Sequence, residues 1–280
     1  MTWDGPAGYY QLFQKKDLGS PTWQPVGGPN LTRQATVTNT SPSAIFRVSG
    51  PAPQYAGVPA CVDCHRNIYK TEKKTAHPHA LEALTRVHQD TNANCLPCHT
   101  VGYGLPTGFS SVTDYASTNR LAGVQCENCH GPAGNHAANE NDFTVRPRVE
   151  LAATVCGGCH NVPQAPHYAE WNASGHAAVD TNVLATMSSS TNKLSSCGRC
   201  HSGSARMSLV KGDPLPVGDA NVAIVCATCH DPHANHVWTN VLSGEVSTNQ
   251  LRNPVASTND YFVTTTGDFA FSYAASTSLA

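Results

Sequence analysis

Twelve cysteines stand in six Cys-x-x-Cys-His motifs, Cys61–His65, Cys95–His99, Cys126–His130, Cys156–His160, Cys197–His201 and Cys226–His230, with none left over. This spacing suits covalent haem attachment, in which two thiols add to the vinyl groups and the adjacent imidazole turns onto the iron. On that reading Cys61, Cys64, Cys95, Cys98, Cys126, Cys129, Cys156, Cys159, Cys197, Cys200, Cys226 and Cys229 hold six haem c groups. His65, His99, His130, His160, His201 and His230 are then the proximal iron ligands. Zinc sites draw four ligands from two cysteine pairs and need no histidine in the fifth place. A disulfide framework gives no reason for a histidine after every second cysteine. A redox Cys-x-x-Cys sits near a βαβ pattern, which the sequence lacks.

Eight histidines lie outside the motifs: His77, His79, His88, His136, His167, His176, His233 and His236. Six irons need six second ligands, so the supply suffices with two to spare. Bis-histidine ligation leaves no open iron position, and such a haem passes electrons rather than binding a substrate. Met207, six residues past His201, is the main methionine alternative, and the spare histidines make it the weaker one. Without methionine ligands, low reduction potentials are expected.

An internal repeat ranks the second ligands. Tyr69-x-x-Glu72-x-x-Thr75-x-His77 follows the first motif, and Tyr168-x-x-Trp171-x-x-Ser174-x-His176 follows the fourth. Gly131-Pro132-Ala133-Gly134-Asn135-His136 follows the third motif, and Asp231-Pro232-His233-Ala234-Asn235-His236 follows the sixth. Two matches in the same order predict two three-haem units in tandem, and make His77, His176, His136 and His236 the first choices as distal ligands. Each unit then needs one more, from His79 or His88 in the first and His167 or His233 in the second. The helix expected over Pro78–His88 sets His79 and His88 on opposite sides, able to serve different haems. Lys70, Lys73 and Lys74 fit a solvated helix face better than a partner site.

The elements that position these groups must be short. The chain has 280 residues with 22 glycines, 19 prolines and only three isoleucines. The 170 residues from Cys61 to His230 provide about 28 per haem, too few apolar side chains for a conventional core, so the porphyrins must supply buried apolar surface and folding should depend on their insertion. The predicted fold is mostly loops with short α-helices around six stacked haems, flanked by a small β-rich N-terminal region and a strand-containing tail. Residues 1–56 read as part of a fibronectin-like sheet, with strands at Tyr9–Phe13, Trp23–Val26, Gln34–Thr38 and Ala44–Val48. Trp3, Tyr10, Leu12, Trp23, Phe46 and Val48 are its expected apolar face. Residues 57–236 form the haem core, divided at 57–150 and 151–236. Residues 237–280 form a haem-free tail, expected to dock on something, with strands at Tyr261–Val263 and Phe269–Tyr273.

The formal charge of −2 argues against a nucleic-acid partner. No apolar run reaches bilayer length, the best being Ala220–Thr228. No signal peptide is visible at Met1. Haem attachment of this type takes place outside the cytoplasm, so an extracellular or periplasmic, trimmed product is expected.

The run from Cys95 through Thr100-Val101-Gly102-Tyr103-Gly104 and Gly108-Phe109 to Leu121-Ala122-Gly123-Val124-Gln125-Cys126-Glu127-Asn128-Cys129-His130-Gly131-Pro132 resembles the multihaem cytochromes related to the electron acceptor of hydroxylamine oxidoreductase. Trp171-x-x-Ser174-Gly175-His176-Ala177 and Cys226–His230-Asp231-Pro232 fit the same group, and the likeness covers roughly residues 57–236. It implies haems packed in parallel and T-shaped pairs, with His77, His136 and His176 as distal ligands. The flanking zones and the haem count depart from four-haem members. They are similar instead to extracellular cytochromes that polymerise into conductive filaments, which implies subunit contacts at the ends and redox proteins or extracellular acceptors as partners. The competing function is a multihaem oxidoreductase acting on a nitrogen or sulfur oxyanion at one open haem. Such sites often carry lysine in place of a motif histidine, and no motif here does.

Overall fold

The computed structural model describes residues 8–17, 19, 21–31, 34–37, 44–149, 151–163, 165–178, 186–218, 223–234, 236–239, 246–249, 261–263 and 270–272. The chain divides into two compact units: Met1–Arg66 with Ala76–Val149, and Asn67–Thr75 with Glu150–Ala280.

The first unit opens with a three-stranded antiparallel sheet of β1 (Tyr10–Lys15), β2 (Gln24–Asn30) and β3 (Ile45–Ser49), ordered β2-β1-β3. Strand alternation puts Tyr10 and Leu12 on one face, 4% and 3% exposed, with Val48 directly across from Leu12. Trp23 departs from its expected place on that face. The Arg47 guanidinium lies 4.7 Å over the Trp23 ring and 5.1 Å over Phe13, and Lys15 lies 5.0 Å over Trp23. Phe13, Lys15 and Arg47 alternate away from Leu12, so these cation–π contacts hold Trp23 on the opposite side. Of the expected strand at Gln34–Thr38, residues 34–37 are described and form no strand with a second residue, and Thr38 and Trp3 lie outside the described residues.

Beyond the sheet the first unit is loops and short helices: Ala80–Thr85, Leu96–His99, Tyr115–Leu121, Cys126–His130 and Gly134–Ala138. A conventional apolar cluster nonetheless forms here, of Tyr55, Leu81, Leu84, Leu96, Val101, Phe109 and Leu121. Leu81 and Leu84 share a helical stripe, as expected. The helix ends at Thr85, however, and His88 follows in the left-handed region at φ 54°. His88 therefore does not share a helix with His79, and the opposite-side argument for this pair fails. The Gln89 N–H bonds back to the Leu84 carbonyl at 2.9 Å, closing the chain over the helix end.

The second unit contains the helices Ala153–Gly157, His167–Asn172 and Gly203–Lys211, and a small cluster of Met187, Leu194 and Ala205. Four short strands follow in two antiparallel pairs: β4 (His236–Thr239) with β5 (Val246–Asn249), and β6 (Tyr261–Val263) with β7 (Ala270–Ser272). Among the described residues no helix is long and apolar enough to cross a membrane.

Candidate haem-binding site

None of the twelve cysteines forms a disulfide and none is buried, which suits groups that must meet a cofactor. The six motifs adopt related local folds. In the first and fourth, the histidine N–H bonds to the carbonyl of the first cysteine, at 2.9 Å in each. In the third and sixth, the residue before the first cysteine is gripped by a side chain three positions on. The Gln125 N–H donates to Asn128 Oδ1 at 2.8 Å, and the Val225 N–H donates to Thr228 Oγ1 at 3.1 Å. The N–H of the gripping residue returns a bond to the carbonyl of the gripped one, Asn128 to Gln125 at 3.0 Å and Thr228 to Val225 at 2.9 Å, and a helix starts at Cys126 and another at Cys226. The fifth motif lies on a π-helical turn, Leu194–Gly198, that runs into Arg199–His201. The second opens the helix Leu96–His99.

Packing brings motifs distant in sequence together. The Cys61 and Cys126 thiols share a hydrogen bond, which with burial and the nearby Cys126 and Glu127 charges pushes the Cys61 thiol up. The Cys156 and Cys226 thiols also share one, and it draws the Cys226 thiol down to about 7. The first unit thus joins the leading cysteines of its first and third motifs, and the second unit those of the fourth and sixth.

The histidines divide by environment. His99 Nδ1 lies 2.7 Å from the Ala80 carbonyl, and His130 Nδ1 lies 2.7 Å from the Arg148 carbonyl. A carbonyl only accepts, so Nδ1 carries the proton and Nε2 keeps its lone pair, the arrangement metal-bound imidazoles adopt. Arg148 clamps the same segment further, its Nε donating to the Cys129 carbonyl at 2.9 Å. His136 is half-buried, and its Nδ1 is buried with no hydrogen-bond partner among the described residues. An imidazole held in that way suits a ligand whose other nitrogen faces a metal. These observations fit haem at the motifs.

The remaining histidines are placed as follows. His77 opens a 3₁₀ turn, His77–His79, and its carbonyl accepts the Val124 N–H at 2.9 Å, docking the turn on the segment that leads into the third motif. Gly123, at φ 79°, makes that approach possible, because a Cβ there would meet the Pro78 carbonyl oxygen at 2.1 Å. His79 Nδ1 lies 3.0 Å from Glu82, and His167 Nδ1 lies 3.5 Å from Glu170. The His160 and His167 rings are 6.0 Å apart, and burial, then the His167 charge, lowers the His160 imidazole. His176 is exposed, its N–H bonded to Ser174 Oγ at 3.2 Å. His233 Nδ1 is 4.0 Å from Asp231. His65, His201 and His230 are exposed, and His236 begins β4.

One buried side chain within a motif carried no expectation. Glu127, inside the third motif, is only 3% exposed. Its carboxylate accepts backbone N–H groups from Gly57 at 2.7 Å, Ala56 at 3.1 Å and Ala133 at 2.7 Å. The available signal was an acidic residue between two cysteines expected to face a haem.

The family described as cytochrome c554 and c-prime matches residues 60–131. Among curated proteins the chain is similar to the multiheme cytochrome MtrA of Shewanella baltica, at 28% identity over 51% of this chain and 46% of the relative. The chain is a multihaem c-type cytochrome. Haem and iron binding come with that assignment. The cytochrome is also similar to the polyheme cytochrome OmcB of Geobacter sulfurreducens, at 26% identity over 49% of this chain and 19% of the relative. Cytochrome c-554 of Nitrosomonas europaea is 29% identical over 38% of this chain and 57% of the relative. Each alignment thus spans less than two thirds of the relative. No solved structure matches.

Proposed function

We propose that this cytochrome conducts electrons along six bis-histidine haems, arranged as two tandem three-haem units over residues 57–150 and 151–236. The observation that carries the reading is the set of six Cys-x-x-Cys-His motifs that uses every cysteine, and the leading cysteines of equivalent motifs in each half lie together, Cys61 with Cys126 and Cys156 with Cys226. Adjacent attachment points favour edge or face contact between the two porphyrins they hold, the separation at which electrons hop. All twelve cysteines form the thioethers, and His65, His99, His130, His160, His201 and His230 are the proximal ligands.

His77, His136, His176 and His236 are the first four distal ligands. His79 and His167 complete the set. Each has a carboxylate three residues on, Glu82 and Glu170, that can hold Nδ1–H and leave Nε2 for iron. His88 and His233 are then the two spare imidazoles. When bound, the haems supply the reversible one-electron chemistry, and the chain holds each imidazole by its second nitrogen and spaces the attachment points.

The haem-free ends, residues 1–56 and 237–280, fit subunit contacts in an extracellular or periplasmic assembly, a filament included, that passes electrons to a redox protein or an extracellular acceptor. The likeness to OmcB and MtrA supports electron transport of this kind. Mass spectrometry of the purified protein is expected to give the polypeptide plus six haems, and carbon monoxide is expected to leave the spectrum of the reduced protein unchanged. Binding of carbon monoxide to the native protein would indicate an open iron, and would favour the oxidoreductase reading instead.

A further inference from the structure

We infer that Glu127 is a redox-tuning residue, a fixed negative charge shared by the haems of the first and third motifs that holds their reduction potentials below those of the fourth and sixth. The inference rests on haem occupying these motifs, as proposed above. Glu127 lies between Cys126 and Cys129, so its backbone belongs to the strap of the third haem. Its carboxylate reaches across to the strap of the first, where Gly57 and Ala56 donate to it at 2.7 and 3.1 Å, four and five residues before Cys61. The same charge is felt at the Cys61 thiol, itself in contact with Cys126. At 3% exposure the carboxylate is shielded from solvent, so water attenuates its field at the first and third motifs little. Oxidising a haem adds one positive charge at the iron. A buried anion nearby stabilises the oxidised form and makes reduction harder.

The sixth motif has no carboxylate at this place. Ala227 occupies the corresponding place between Cys226 and Cys229, although the Val225–Thr228 cap is built as the Gln125–Asn128 cap is. The first-and-third pair of haems would therefore feel a charge, carried on the strap itself, that the matching strap of the sixth motif does not supply.

The test is a spectroelectrochemical titration of Glu127→Gln after its mass has shown full haem loading. Two of the six components are expected to move upward by a tenfold change in reduction equilibrium, about 59 mV for a one-electron centre. Glu127→Asp, which keeps the charge, is expected to stay near the native curve. A fully loaded Glu127→Gln protein whose titration superimposes on the native one overturns the inference while leaving the haem assignment intact. A native protein with no haem at the first or third motif instead overturns the assignment itself. Should Glu127→Gln fail to load, Ala227→Glu supplies the reverse reading. Two components are then expected to move downward, and an unmoved curve rejects the role.

Discussion

Each imidazole in this cytochrome has two nitrogens, and the partner of one decides what the other can do. His99 and His130 give Nδ1–H to backbone carbonyls, and no side-chain mutation can remove those acceptors. His136 has its Nδ1 buried without a hydrogen-bond partner among the described residues, and its proposed distal role can be tested directly by substitution. In His136→Ala the vacated iron is expected to become high-spin, and one haem of the reduced protein should bind carbon monoxide, read in the Soret region. An unchanged spectrum would remove His136 from the ligand set. Leu121 belongs to the same scale. Its side chain is 0% exposed within the apolar cluster, and Leu121→Ala should cost about 2–5 kcal/mol in guanidinium unfolding of the haem-loaded protein. A loss well under 1 kcal/mol would mean that the haems, and not this cluster, hold the first unit together.

At the scale of elements, short helices depend on their ends. Asp114 caps Tyr115–Leu121 by accepting the Ser117 N–H at 3.2 Å, and its hydrogen bonds from Ser110 and then Ser117 hold the carboxyl below its ordinary range. A lowered folded-state value means the contribution is present above the unfolded pKa, about 3.9, and is lost as pH falls through the folded one. Asp114→Ala should therefore melt lower than the native protein at neutral pH, with the gap closing in acid. A gap that persists unchanged at pH 2 would contradict this origin. Gly57 is the other element-scale constraint. Its φ of 77° and the 2.4 Å that a Cβ would leave to the Arg120 carbonyl oxygen fix the turn preceding the first motif. Gly57→Ala should pull the Gly57 N–H from Glu127 and lower both the melting temperature and the haem yield at the first motif, the latter read by peptide mass mapping. Full occupancy with native stability would show that the turn tolerates the side chain.

For the whole molecule the questions are how many haems are carried and what the ends do. Residues 237–280 hold no cysteine and carry all but the first residue of two antiparallel strand pairs, β4 starting at His236. If they serve assembly, a chain shortened to residues 1–236 should keep its haem content and lose any filament seen by electron microscopy. Filaments formed equally well by the shortened chain would move the contact elsewhere.

The six motifs made the cofactor chemistry legible from sequence because thioether attachment is local: two cysteines and a histidine within five residues suffice, whatever surrounds them. The pairing of Leu81 with Leu84 and three of the four expected N-terminal strands were legible for the same reason, since helical and strand periods are short-range. Sequence reading failed where the outcome depended on contacts made at a distance. It carried the helix past Thr85 to His88, because nothing in the periodic pattern shows the chain turning back onto Leu84. It set Trp23 with Leu12, because the cations of Lys15 and Arg47 come from other strands. It gave Glu127 no role, because the three N–H groups that hold it belong to residues 56, 57 and 133. Only the tertiary structure decided which thiols meet, since Cys61 and Cys126 approach through packing between segments far apart in the chain, and side-chain spacing along a strand or helix carries no record of that.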